Sequence, residues 1–499
     1  MTARMAPGVE SRALRLLTVV LLAVLLYRGA TLLLAEPLLA LANNYDMVRV
    51  QACIKAYPVR SAEIPPWWGS GDAPLERYRF RDDVDAPCFR TTEVIFARLA
   101  RPLFKAESLK SGDGSFSVRW LGLVKFAAFF AAAAGFSFAW WRRGQPRAAF
   151  ANAAIAALML ADPAVTLYLN GFYAEYSTVL FGYVTVAGAA LLIGRSQPPP
   201  LPALALLALA VTGLVGSKVQ HAGLGLVLLL AMTMPALFGA AIRKRILAAL
   251  AVGASAGLAL QAGNLARTEN EVMRLANMTS TVLTTLLPQS DDPARTAERL
   301  GLPRRCGEAT GVNWYLPPIR ENPANHPCPE VGKVSHLRLL ALAAVEPRLF
   351  AAFIGRGIDH LRPWIPSSYK GQPHLGVVAG RMQAPLPEGW FSWSRVLDPA
   401  PLWSIRLLVL APMLLVTALI ALRRLRDPAL AATLSTLAWL PPATIVAVVL
   451  GNGYEDAAKQ MHLVFTSVLG FWILLALSVL AGAVGPRAQR PPATARSGR

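Results

Sequence analysis

Long apolar runs alternate along this chain with short clusters rich in arginine, glycine and proline. A hydrocarbon core about 30 Å thick takes roughly 20 apolar residues in a helix. Runs of that kind cover 16–41, 119–141, 148–166, 172–193, 201–216, 222–240, 246–263, 402–422, 429–450 and 463–484, the fifth being the shortest. The pattern predicts an all-α polytopic membrane protein with about 10 transmembrane helices. No period of about 20–50 residues repeats, which excludes a solenoid.

The segments between the runs test the count. With the N- and C-termini cytoplasmic, the inner segments hold Arg4, Arg12 and Arg15; Arg142, Arg143 and Arg147; Arg195; Arg243, Lys244 and Arg245; Arg423, Arg424 and Arg426; and the arginines from Arg487 onward. The short outer turns hold only Lys218 and Lys459. Short-loop Lys/Arg bias sets orientation, and every inner segment agrees with this one. The first run starts in a basic stretch but exceeds the 7–15 residues of a signal-peptide core, so it reads as an uncleaved helix. The expected organisation is therefore a cytoplasmic N-terminus and first helix (1–42), a first outer loop (43–118), a six-helix membrane region (119–263), a second outer loop (264–401), three further helices (402–484) and a basic cytoplasmic tail (485–499).

Composition sharpens this picture. The 499 residues are 55% hydrophobic and only 16% charged, against about 25% charged in a soluble domain. That excludes a water-soluble globule and a disordered chain. The net charge of +20 would otherwise suggest nucleic acid, but much of that excess is topological, and no nucleic-acid partner is expected.

The two long outer loops are rich in proline, tryptophan and charge. Within the second, 336–361 is apolar but carries Arg338, Glu346, Arg348, Arg356 and Asp359 and is cut by Pro347. Charges at a helix centre cost several kcal/mol each, so this stretch reads as two helices lying at the outer membrane surface. Cys53 and Cys88 fall in the first loop and Cys306 and Cys328 in the second. An oxidising outer compartment permits two within-loop disulfides, free thiols being the other reading. Their spacing matches no zinc motif. Trp67, Trp68, Trp390 and Trp393 read as interfacial anchors, with sugar platforms as the other reading.

Ionisable groups at a bilayer edge are costly unless they pair, reach water or work. They recur on the outer side: Asp46 and Arg49 after the first helix, Asp162 and Glu175 around the next turn, Lys218, Gln220 and His221 between spans five and six, and Glu455, Asp456, Lys459 and His462 between spans nine and ten. Each has a bland reading beside a functional one. Asp46 is a helix cap or a catalytic base; Asp162 before Pro163 is a helix stop or a substrate ligand. Glu175 serves a helix dipole or binds; Lys218 snorkels or binds. His221 is structural or a ligand, and 455–462 is a solvated turn with local ion pairs or part of a site. Asn277-Met278-Thr279 matches a glycosylation sequon that is frequent by chance.

There is no Walker loop, HExxH or GxSxG, which argues against an ATP site, a zincin or an α/β-hydrolase. A transferase on the outer face needs a donor that is already activated, and a lipid carrier supplies one.

The segments Asn44-Tyr45-Asp46, Asp162-Pro163, Tyr168 through Glu175, Ser217-Lys218-Val219-Gln220-His221 and Gly453 through His462 give the chain its resemblance. It resembles the GT-C membrane glycosyltransferases, and within them is most similar to bacterial surface-glycan hexose transferases. The order of one span, a long outer loop opening with an acid, short hairpins and a late large loop is likewise GT-C-like. The resemblance implies an inverting transferase in the bacterial inner membrane, with its site facing the periplasm and a role in polysaccharide biosynthesis. The partners it implies are a polyprenyl-phosphate-linked sugar donor, a glycan, lipid or protein acceptor, and the bilayer. No cofactor is certain, and a divalent cation is possible; Asp46 stands without the paired acid of some GT-C branches. The expected roles are Asp46 as base, Lys218 and His221 with Arg49 and Lys459 at the leaving phosphate, and Glu175 and Asp162 on sugar hydroxyls or a cation. Two rivals stand beside this reading: a polysaccharide polymerase or ligase using a lipid-diphosphate glycan, with Arg304, Arg305, His360 and Arg362 as its candidate residues, and a lipid-linked-sugar transporter or flippase.

Overall fold

The computed structural model describes residues 7–36, 38–41, 43–59, 70–72, 74–238, 243–268, 271–365 and 391–484. Trp67, Trp68, Trp390 and the arginines from Arg487 onward lie outside the described residues.

Among the described residues, eight helices are long and apolar enough to cross a membrane. They fall in α1 (Pro7–Leu34), α4 (Arg119–Arg142), α6 (Ala174–Ile193), α8 (Leu224–Thr233, extended to 219–237 by flanking 3-10 turns), α9 (Lys244–Thr268), α13 (Leu402–Ala421), α14 (Pro428–Asn452) and α15 (His462–Leu480). The shorter apolar helices α5 (Pro146–Ile155, continued by a π turn to Leu160) and α7 (Leu201–Val215) take the places of the remaining expected spans. The protein is therefore an all-α polytopic membrane protein. The third apolar run is shorter than expected. Its helix ends at Leu160, and Asp162-Pro163 starts a separate turn, Pro163–Thr166, because proline cannot continue the hydrogen-bond ladder. Helices apolar on every side are buried or face lipid. In α6, α14 and α15 the apolar window is 61% buried, against about a third or less in α1, α9 and α13, so the former make the centre and the latter the rim.

The two long loops and the turns at 174–175, 218–220 and 460 meet at one end of the bundle (the loop end), and Glu10, Arg147, Gly194, Asp427 and Gly482 meet at the other, which carries the arginine clusters (the basic end). The first loop carries α2 (Tyr45–Ile54), α3 (Glu93–Lys110) and, beyond the all-α expectation, short strands. β1 (Asn43–Asn44) pairs with β3 (Ser70–Asp72), and β2 (Ala56–Pro58), β4 (Arg77–Phe80) and β5 (Ser115–Ser117) form an antiparallel sheet with Tyr57 opposite Arg79 and Tyr78 opposite Phe116. The second loop holds α10 (Glu271–Met278), α11 (His336–Val345) and α12 (Pro347–Asp359). The apolar 336–361 stretch is thus two helices broken at Glu346-Pro347, with α12 packed on α13 and α14. Both disulfides lie within a loop, Cys53–Cys88 and Cys306–Cys328.

Two buried polar contacts fasten loops to bundle. Lys125 on α4 and Glu93 at the first position of α3 are fully buried and ion-paired. The same ammonium donates to the carbonyls of Gly171 (2.6 Å) and Tyr168 (3.1 Å). This cation therefore holds both the first loop and the turn that leads into Glu175. Gly122, one helical turn before Lys125, lets that turn approach: a Cβ there would lie 2.1 Å from the Asn170 amide oxygen. Asp162, fully buried, accepts from the backbone N–H of Ala164 (3.0 Å) and Trp393 (2.7 Å) and from the hydroxyls of Ser394 (2.9 Å) and Ser392 (3.2 Å). It caps its own helix turn and moors the end of the second loop.

Removing one partner of a buried ion pair typically costs about 3–5 kcal/mol. Glu93→Ala is expected to lower the thermal midpoint of the detergent-purified protein accordingly, and the double replacement Glu93→Leu with Lys125→Met to recover most of the loss. Asp162→Ala strands several donors at roughly 1–3 kcal/mol each, and limited proteolysis is expected to show faster cleavage around 391–400 than in the wild type.

Candidate functional site

Helix α2 begins at Tyr45, soon after the first membrane helix, and carries Asp46 in its first turn and Arg49 one turn on. Glu175 stands in the first turn of α6, Lys218 caps the 3-10 turn Val219–His221 between α7 and α8, and Lys459 and Gln460 lie on the short helix Ala457–Gln460 between α14 and α15. The last connection is tightly formed. Gly453 adopts a positive φ of 60°, and a Cβ there would lie 2.6 Å from the carbonyl oxygen of Ser280, so this turn is pressed against the second loop.

These segments meet around one cavity of about 590 Å³. Asp46, Arg49, Glu175, Lys218, Gln220 and Gln460 line it. Lys459, 1% exposed, pairs with Asp46 and with Asp456 (3.2 Å), and Arg49 approaches Asp46 at 3.5 Å. Lys218 pairs with the fully buried Glu175 and donates to the side-chain oxygen of Gln460, Oε1, at 2.8 Å, which also accepts from Gln220 at 3.2 Å. Two carboxylate–ammonium pairs thus stand side by side, joined by the adjacent residues Lys459 and Gln460.

Charge placement fixes the protonation states. Burial works to raise the Asp46 carboxyl, but Lys459, Arg49 and Lys218 together hold it well below the usual carboxylate range, so it is ionised. Burial pulls Lys459 down, but Asp456, Asp46 and Glu175 outweigh it and keep the ammonium charged. Glu455 differs: burial and then Asp456 push its carboxyl up, against a hydrogen bond from Asn313 at 3.2 Å.

His221 and His462 lie beneath the cavity, not in it. Their rings meet edge to face with centroids 5.9 Å apart, with His221 Nδ1 at 2.8 Å from Ser217 Oγ and His462 Nδ1 at 2.8 Å from the Lys459 carbonyl. His221, expected at a leaving phosphate, is buried and is not among the residues that line the cavity. Asp162 is likewise not brought to the cavity: its oxygens are taken by the contacts that moor the second loop. Glu455 and Asp456 border Lys459 without lining the cavity.

The residues suggested by the polymerase or ligase reading are engaged elsewhere. His360 stacks on Tyr454 at 4.4 Å, Arg362 donates to the carbonyls of Asp398 (2.9 Å) and Ala400, Arg304 sits 3.6 Å from Glu298, and Arg305 pairs with Glu330. None of them lines the cavity.

The structure adds residues that the sequence pattern did not single out. Gln460 bridges the two pairs, and Arg274, Asn277, Lys333 and His336 complete the lining from the second loop. Arg274 and Lys333 are exposed and form no ion pair among the described residues. Only tertiary folding brings the second loop over the first, so no local spacing marks these side chains. The one group of three side chains with metal-ligand spacing among the described residues is Cys306, Cys328 and Glu330, and its cysteines are joined in a disulfide.

Residues 76–328, just over half of the chain, match the family model of the YfdI N-terminal transmembrane domain. The match takes in Glu175, Lys218, Arg274 and the Glu93–Lys125 pair, with Asp46 before it and Lys459 after it. No curated protein and no solved structure matches the chain. On the extent of that match, this membrane protein belongs to the family of the YfdI N-terminal transmembrane domain.

Proposed function

We propose that the protein is an inverting membrane glycosyltransferase that moves a sugar from a polyprenyl-phosphate donor to a glycan, lipid or protein acceptor at the loop end of the bundle. The single observation that carries this reading is the shared cavity, which an ionised carboxylate, Asp46, lines together with Glu175, Lys218, Gln460, Arg274 and Lys333. The resemblance to GT-C transferases supports it. The basic residues of the short segments between helices support a loop end that faces outward, and with it our assignment of the site to the periplasmic side of a bacterial inner membrane.

In the proposed step the acceptor hydroxyl attacks the anomeric carbon. The new C–O bond forms on the face opposite the old one, the bond from that carbon to the phosphate oxygen breaks, and the lipid phosphate leaves with the electron pair. The hydroxyl proton passes to Asp46, a carboxylate within reach of the cavity. The phosphate is a stable anion and calls for positive charge, not a proton. Lys459 is already shared by Asp46 and Asp456, and Lys218 by Glu175, so the phosphate is assigned first to Arg274 and Lys333 and second to the outward side of Lys218. Glu175 Oε2, a buried carboxylate oxygen with no protein hydrogen bond, is assigned to a sugar hydroxyl. The charge that a divalent cation would bring to Asp46 is supplied by Lys459 and Arg49.

Asp46→Asn, at matched protein level in membranes, is expected to lower sugar transfer by about 10²–10⁴-fold; activity near wild type would remove Asp46 from the base role. Arg274→Ala with Lys333→Ala is expected to raise the KM for the lipid donor and to lower kcat as well, because the phosphate gains negative charge as it leaves and these cations hold it more strongly in the transition state. A pH profile probes the coupling of Asp46 to Lys459. Wild-type Asp46 stays ionised through mildly acidic pH, whereas Lys459→Met leaves burial unopposed by its nearest cation. The acid limb of the rate is then expected to move up by roughly 1–3 pH units, and an unmoved limb would show that Asp46 does not titrate in the reaction.

A further inference from the structure

A second and larger cavity, about 780 Å³, opens at the basic end and belongs to no part of the site above. It lies between α5, α6, α14 and α15, with the start of α1 at its mouth, and runs from Glu10, Arg147 and Asp427 up to Leu160, Val179 and Leu463. From Arg147 to Leu160 a helix rises about 20 Å, which is more than half of a hydrocarbon core about 30 Å thick. The cavity is thus as deep as one leaflet.

Its walls are hydrocarbon. Several polar side chains along them are turned back on the protein: Thr433 donates to Ala429 O (2.7 Å), Thr466 to Leu463 O (3.2 Å), Ser478 to Leu474 O (2.7 Å), and Tyr183 to the Asn152 side chain (2.8 Å). A polar solute would find few partners there, whereas an apolar cavity of this kind takes apolar ligands. The mouth is different. Arg147 donates to Glu10 through Nε (2.9 Å) and Nη2 (2.6 Å) and to the Ala481 carbonyl through Nη1 (3.2 Å), and its side chain is still 57% exposed, at the end of the bundle that concentrates arginine. Depth, hydrocarbon walls and a cation at the rim together describe an amphiphile with one long chain and an anionic head.

We infer that this cavity binds an acyl chain of an anionic phospholipid from the basic-end leaflet, with its phosphate at Arg147. Such a chain would pack between α6 and α15. Its far end would reach Val179, one turn beyond Glu175 on α6, and Leu463, next to His462 on α15. The lipid thereby becomes part of the support beneath the candidate site, an inference that stands whether or not the site transfers sugar.

The test uses the full chain in phosphatidylcholine vesicles containing phosphatidylglycerol with a photoreactive diazirine on its acyl chain. Labelled peptides are expected from α5, α6 and α15, at least fivefold above those labelled by the same probe on phosphatidylcholine. Ala151→Phe with Ala190→Phe fills the cavity and is expected to abolish this labelling, while labelling around the lipid-facing Leu414 of α13 stays unchanged. Arg147→Gln, which leaves the walls intact and guards against misfolding of the filled variant, is expected to erase the preference for phosphatidylglycerol. Equal labelling by the two lipids in the wild type would overturn the proposal, as would labelling that persists in a folded filled variant. Competition by polyprenyl phosphate but not by unlabelled phosphatidylglycerol would also overturn it, by giving the cavity to the carrier lipid.

Discussion

A charge that enters a bundle of apolar helices must bring its counter-charge from another part of the chain, because water cannot supply it there. In this protein that requirement is met three times at the loop end, by Glu93–Lys125, Glu175–Lys218 and Asp46–Lys459. Each pair joins segments far apart in sequence, and each therefore acts as a register mark for folding. A bundle whose helices slipped by a turn would leave a buried ammonium facing hydrocarbon. The apolar faces alone do not prevent such a slip, since they are interchangeable along most of their length. The same pairs that define the arrangement also supply the groups with chemistry to offer.

The difference among the three pairs lies in what else surrounds them. Lys125 is saturated: besides Glu93 it donates to two carbonyls, and the Tyr176 ring lies 5.3 Å away. It is sealed and structural. Lys218 is 13% exposed and Asp46 22%, both on the cavity wall. These two pairs are accessible from one side only, which is what a binding wall needs: charges fixed in place before a ligand arrives, so that little reorganisation is required when it does.

Much of this was legible in the chain. The apolar runs located every membrane helix, Pro347 correctly divided 336–361 into two helices, and the placement of the cysteines indicated two within-loop disulfides. What the pattern could not resolve was which polar residues at the loop end share a pocket and which merely share a depth. Asp46, Glu175, Lys218, His221 and Asp162 look alike in sequence, each an ionisable group at the outer end of a helix. Three of them line the cavity; His221 lies one layer below; Asp162 spends its oxygens on backbone and hydroxyl donors around Trp393 and Ser394. That separation depends on helix rotation and on a contact spanning some 230 residues, neither of which leaves a local signal. The short strands of the first loop were missed for a related reason: runs of three or four residues such as Ala56–Pro58 carry no measurable period.

Gln460 shows why the candidate site and the fold cannot be varied independently. Its side-chain oxygen accepts from both Lys218 and Gln220, while its backbone follows directly on Lys459. The two ion pairs are therefore mechanically coupled: moving the 457–460 helix displaces Lys459 from Asp46 and Gln460 from Lys218 in one motion. His462, two residues on, accepts that motion from the other side, since its Nδ1 is held by the Lys459 carbonyl and its ring rests against His221. Tyr454 extends the linkage upward through its hydroxyl bond to the Phe353 carbonyl at 2.6 Å and its stack on His360. A second loop that shifts over the cavity pulls on the same turn that fixes both carboxylates. The architecture thus gives the covering loop a direct mechanical hold on the charges below it, through a turn whose glycine at 453 leaves no room for a side chain between them.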